Sequence, residues 1–193
     1  MKRFVLASGS PRRQEILKQL GLEFQVMESD IEEVFPEGAL PGEYAASIAL
    51  EKIRNVLKRI RFPAVVVGAD TIVELDGEIM GKPSDDRQAF EMLSKLAGKE
   101  HCVITGIAVS DNTNGVELVD YQTTRVRMKS ISPDRIRRYV ETGEPLDKAG
   151  AYAIQGRASL FIDSINGCYF NVVGLPVAKL DCMLRSINLD LLL

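Results

Sequence analysis

Apolar residues recur along this chain with two alternating rhythms. Residues 2–8 (KRFVLAS) form a short apolar run that fits a buried strand. Residues 11–20 place Ile16, Leu17 and Leu20 on one helical face, with Gly21 as the stop. Residues 23–28 (EFQVME) alternate like a strand, and residues 36–41 read as a loop with Gly38 between two prolines. Residues 43–60 carry Ala46, Leu50, Ile53 and Leu57 at helical spacing. Residues 64–67 are wholly apolar, which suits a strand covered on both faces. That run continues through GADTIVEL to a hairpin turn at Asp76-Gly77.

Beyond the hairpin, Ser84 is the expected cap of a helix to Leu96, with Asp85 and Asp86 in the first turn. Residues 102–110 and 116–128 read as paired strands across an Asn/Gly loop. Ser132-Pro133 opens a helix through Val140, residues 151–173 read as short strands with turns at Gly156 and Asn166-Gly167, and Pro176 opens the last helix. Strands alternate with helices while hairpins interrupt the alternation. The class is therefore α/β with a mixed sheet. A length of 193 residues fits one domain, residues 1–193, with room for two lobes.

The residue inventory narrows the chemistry. Cys102, Cys168 and Cys182 stand far apart with no C-x-x-C, which disfavours a disulfide framework or zinc site and fits a reducing cytoplasm. His101 is the sole histidine, so there is no His cluster for a metal and little scope for a Ser-His-Asp triad. A metal here would have oxygen ligands, which favours magnesium or manganese. A net charge of −3 implies no general grip on nucleic acid. The apolar stretch of MKRFVLAS is too short for a signal peptide, and no window approaches the ~20 apolar residues of a membrane span.

One short stretch breaks a rule. In LASGSPRRQEIL (residues 6–17), Ser10 and Pro11 open a helix, yet Arg12 and Arg13 occupy its first turn. That turn carries the positive end of the helix dipole, where acidic residues are favoured. A bound phosphate removes the conflict, because Arg grips it bidentately and helix-start N–H groups face it. The plain alternative is an Arg12–Glu15 surface pair with a solvated Arg13. In GADT (68–71), Asp70 follows an apolar strand, at the kind of strand end where ligands gather in α/β sheets. There it serves as turn residue, or holds a magnesium ion or orients a water; residue type alone leaves both open. Gly77–Lys82 is similar to a P-loop but fails its spacing, and Pro83 replaces the Ser/Thr. Lys82 is then a phosphate contact or a solvated lysine. In DKAGAYAIQG (147–156), Gln155 both donates and accepts, which suits reading a base edge; a tightly packed strand-turn is the structural alternative. Asp30, Glu32 and Glu33 offer a metal ligand or a solvated face, and the cations of KRIR (58–61) suit a helix end.

Taken together, LASGSPRRQEIL, GADTIV, GKP, ITG (104–106), DKAGAYAIQG and VVGLP (172–176) resemble, in order and approximate spacing, the Maf family of nucleoside triphosphate pyrophosphatases. The match covers nearly the whole chain. The resemblance implies an elongated, curved mixed sheet flanked by helices, with two lobes and a central cleft, as in the related enzymes that hydrolyse damaged purine triphosphates such as ITP. It implies a general base at Asp70, phosphate contacts at Ser8, Arg13, Lys52 and Lys82, and a divalent metal (Mg or Mn) at Asp70 and Glu33. Arg12, Thr71 and Gln155 occupy the positions that separate substrate branches, and this set looks like the branch acting on dTTP and UTP. A cytoplasmic homodimer is implied, with no membrane or nucleic-acid partner. The short tail ending LDLLL packs on the body or at a dimer contact. Two other classes stay open. One is hydrolysis of ITP-like purines; the other is a non-enzymatic nucleotide-binding regulator of cell division.

Overall fold

A computed structural model describes residues 2–33 and 38–192. Part of the expected 36–41 loop lies outside the described residues. Among the described residues, seven strands form one mixed sheet in the order β2-β1-β3-β5-β6-β7, with β4 paired to β3. In chain order the elements are β1 (Arg3–Leu6), α1 (Pro11–Gln19), β2 (Gln25–Val26), α2 (Pro41–Leu57), β3 (Ala64–Leu75) and β4 (Glu78–Met80), then α3 (Asp86–Leu96), β5 (Glu100–Asp111), β6 (Val116–Met128), α4 (Pro133–Val140), β7 (Ile162–Asn166), α5 (Tyr169–Val173) and α6 (Val177–Ser186). The chain divides into two compact units. No described helix is long and apolar enough to cross a membrane.

The first unit comprises residues 1–70, 105–122 and 174–193. Here β1 pairs in parallel with both β2 and β3, and Leu6 is matched to Val67 in the β1–β3 register. The periodic apolar face of α2 supplies Ala49, Ile53 and Val56 to a core shared with Val5, Ala7, Ala64, Val66 and Ala108. Each fully buried Val or Ile there contributes about 2 kcal/mol of transfer free energy. Two glycines let α2 come this close. A Cβ on Gly106 would stand 2.0 Å from the Ala45 carbonyl oxygen, and one on Gly68 would stand 2.6 Å from Ile53 Cγ2. The helix begins at Pro41, two residues before the expected Glu43, because proline suits the first helical position. It ends at Leu57, and just beyond it Arg61 donates to the carbonyls of the C-cap Lys58 and of Ile60.

The second unit comprises residues 71–104 and 123–173. Its core joins Val73, Leu75 and Met80 to Leu93 and Leu96 of α3, Ile136 and Tyr139 of α4, and Tyr152 and Phe161. The β3–β4 hairpin turns where expected, with Asp76 (φ 53°) and Gly77 (φ 86°) both left-handed as a type I′ turn demands. Two expectations are corrected. Asp85, not Ser84, caps α3, its carboxylate accepting from the Gln88 N–H at 2.7 Å. The stretch 151–173 is not a run of strands. It holds 3₁₀ turns at Ala149–Ala151 and Arg157–Phe161, the single strand β7 and the short helix α5. Its apolar alternation comes from residues packed one by one onto the core, such as Tyr152, Ala158 and Phe161.

Candidate active site

The parallel β1–β3 register ends at Leu6 and Val67, and β3 runs on past the end of β1. Asp70 therefore does not stand at the end of its own strand. It is a mid-strand residue of β3, beyond the carboxyl end of its neighbour β1, and is 5% exposed. Crevices outside the carboxyl ends of parallel strands are where α/β sheets bind ligands. The chain leaving β1 enters the same region with Ser8 and then α1.

Residues at the start of α1 adopt a different arrangement from a simple cap. Ser10 holds the N-cap position but its side chain makes no capping bond, and Pro11 begins the helix. The Ser10 N–H instead donates to Ser8 Oγ at 3.3 Å. Arg13 is 9% exposed, which excludes the solvated arginine considered above. Its Nη1 donates to Ser8 Oγ at 2.9 Å and its Nε to the Gly174 carbonyl at 2.8 Å. The Ser8 oxygen thus accepts twice, so its proton is the part it can offer to an anion. Burial pulls the Arg13 guanidinium below its ordinary pKa, and the negative charges of Asp70 and Glu33 oppose that pull. Arg12 lies beside it, half-buried, and its charge adds to the lowering.

The α2 helix brings the third component. Lys52 Nζ stands 2.6 Å from Asp70 Oδ1 and 2.7 Å from Glu33 Oε1. One ammonium therefore marks the point on which two carboxylates converge. Tyr44, on the same helix and 8% exposed, reports their field. Burial first, then Asp70 and Glu33, push its phenol up to about 12. A focus of one buried and one exposed carboxylate with two cations is suited to a charged ligand that exchanges with the internal pairs. Among the described residues no group of three or more His, Cys, Asp or Glu gathers as a metal cluster.

Ser8, Arg13, Glu33, Lys52 and Asp70 thus come together in the first unit. Thr71 is the first residue of the second unit and is half-buried; Lys82 and Gln155 also belong to that unit, both exposed. Tyr44 and the Gly174 carbonyl were not anticipated. The contact to Gly174 spans 161 positions, and its only trace in the sequence is the VVGLP stretch. Gly68 and Gly106, within GADTIV and ITG, owe their residue type to the close approach of α2.

Comparison with known proteins gives the following. The model of the Maf-like protein family matches residues 3–187. A dTTP/UTP pyrophosphatase of Desulforamulus reducens is 50% identical over 191 residues, spanning 99% of this chain and 100% of that protein. One from Pelotomaculum thermopropionicum is 48% identical over 192 residues, spanning 100% of each. Among solved structures, a HAM1 protein from Coxiella burnetii is similar in fold, with a TM-score of 0.53 at 17% identity over 96% of this chain and 100% of that one.

Proposed function

The chain belongs to the Maf-like protein family, and from that premise we propose that it hydrolyses dTTP and UTP, and modified pyrimidine nucleotides, between the α and β phosphates. The products are the nucleoside monophosphate and pyrophosphate. The observation that carries this reading is the convergence of Asp70, Glu33 and Lys52 beside the buried Arg13–Ser8 pair.

A triphosphate brings about four negative charges into a site that must offset them. Arg13 and Ser8 meet phosphate oxygens at the start of α1, and Lys52 exchanges its carboxylate partners for phosphate. Lys82 adds a further phosphate contact. Asp70 orients a water and accepts its proton as the water oxygen bonds to the α-phosphorus. The bond from that phosphorus to the bridging oxygen breaks, and pyrophosphate leaves with the electron pair. Glu33 and Asp70 are hard oxygen donors aimed at one point, which fits magnesium or manganese completed by water and substrate phosphates. Such an ion, when bound, neutralises phosphate charge and makes the attacking water more acidic. Arg12, Thr71 and Gln155 distinguish the base. The enzyme works as a cytoplasmic homodimer without nucleic acid.

A panel of UTP, dTTP, CTP, ITP and 7-methyl-GTP, assayed for pyrophosphate with and without magnesium, tests this. Metal-dependent release favouring UTP and dTTP is expected. Binding without release would mean a nucleotide sensor, and preference for ITP would mean a purine enzyme.

A further inference from the structure

The segment 147–156 carries Gln155 one residue before its end, and the structure shows what holds that end in place. The Glu144 carboxylate accepts from the backbone N–H of Arg157 at 3.1 Å and of Ala158 at 3.3 Å, immediately beyond Gln155 and Gly156. The hydroxyl of Tyr139, a buried residue of α4, donates to the same carboxylate at 3.1 Å. On the other side of the segment, Lys148 Nζ donates to the Glu144 carbonyl at 2.6 Å. Both ends of the segment therefore fasten to one residue, which makes 144–158 a closed loop of the Ω type.

Gly156 fits the clasp in only one way. Its φ of 82° and ψ of −156° lie where glycine alone is comfortable, and a Cβ would stand 2.8 Å from Glu144 Oε1. Inside the loop the Gly150 N–H donates to the Gly81 carbonyl at 3.0 Å, and Tyr152 meets His101 Nε2 at 2.7 Å. The middle of the loop is anchored independently. Its last turn, the one that carries Gln155, is held by the Glu144 carboxylate.

We propose that Glu144 is a positioning residue for base selection, its carboxylate fixing the backbone of residues 155–158 so that Gln155 presents its amide in one orientation to the pyrimidine. This rests on the proposed role of Gln155. Acting through the backbone of residues 157 and 158, Glu144 should on its loss alter which nucleotide is preferred rather than the chemical step.

The test compares E144A, E144Q, Q155A and the E144A/Q155A double variant by kcat and KM for UTP, dTTP, CTP and ITP. The proposal expects E144A to raise KM for UTP and dTTP about ten-fold, with kcat within two-fold, and to narrow their preference over CTP and ITP. In E144Q one oxygen still accepts but the amide nitrogen cannot, so a smaller shift in the same direction is expected. The double variant should match Q155A. Equal losses across the panel in E144A, or additive losses in the double variant, would overturn the proposal. If E144A does not fold, E144Q decides: an unchanged ranking overturns the proposal and a shifted one supports it. If Q155A itself keeps the ranking, the role of Gln155 fails. A ranking shift in E144A would then overturn the route through Gln155, as would its absence.

Discussion

The ammonium of Lys52 lies 2.6 Å from Oδ1 of Asp70, with side-chain exposures of 12% and 7%. A buried pair of this kind is costly to break from one side, because the remaining charge is stranded. The two partners are not equivalent, however. Lys52 also holds Glu33, whereas Asp70 has lost most of its water.

Asp70→Asn should therefore fold, since Lys52 keeps Glu33. Its turnover should fall by about 10²–10⁴-fold, the range for loss of a positioned base. Lys52→Met should lower stability by about 3 kcal/mol, because Asp70 is left uncompensated. Urea unfolding and pyrophosphate release measure both effects. Near-normal turnover in Asp70→Asn would remove that residue from the mechanism.

The two arginines of α1 should separate. Arg13→Ala removes a buried cation with bonds to Ser8 and Gly174. It should weaken all triphosphates alike and lower stability by about 2 kcal/mol, since hydrogen bonds to charged groups are worth ~1.5–3 kcal/mol. Arg12→Ala should instead change the ranking of nucleotides. Equal loss across a substrate panel for both variants would mean the division of roles is wrong.

Gly106→Ala should act on activity through the packing of α2. Its Cβ would overlap the Ala45 carbonyl, which is helix backbone and cannot swing aside. Lifting α2 moves Lys52 and opens the core around Ile53 and Ala108. A loss of about 3 kcal/mol, at the top of the usual range for overpacked cores, is expected together with loss of turnover. A thermal midpoint close to wild type would contradict this packing.

The single histidine gives a clean pH prediction. His101 is 3% exposed, and burial lowers its pKa to about 4. Its Nε2 meets Tyr152, while Nδ1 has no hydrogen-bond partner among the described residues. The unfolded chain protonates near 6.5 and the folded one near 4, so as pH falls the unfolded state takes up its proton first. The stability from a neutral His101 is thus complete above about pH 6.5 and is lost between there and pH 4, by up to about 3 kcal/mol. Unfolding of His101→Gln across this window should lack that component. An identical pH profile would show that His101 is not its source.

Local chemistry made much of this legible in the sequence. The apolar periods of α2 and β3, the Asp-Gly hairpin and the proline helix starts each depend on a few neighbouring residues. The misplaced arginines pointed to a charged site because they broke a local rule. What escaped were relationships between distant residues. Asp70 reads in sequence as a strand-end residue, but its place in the site comes from where β1 stops, a property of register. Arg13 meets Gly174 from the far end of the chain. The stretch 151–173 has strand-like apolar spacing, yet its packing onto Tyr139 and Leu93 overrides that pattern. The glycines of GADTIV and ITG were visible as motif letters, and only the path of α2 explains them.

The site of bond cleavage is the central claim, and oxygen-18-labelled water tests it most directly. UTP hydrolysed in labelled water with magnesium should give UMP carrying one labelled oxygen and pyrophosphate carrying none, because water attacks the α-phosphorus. Label in pyrophosphate, or UDP with labelled inorganic phosphate, would contradict it.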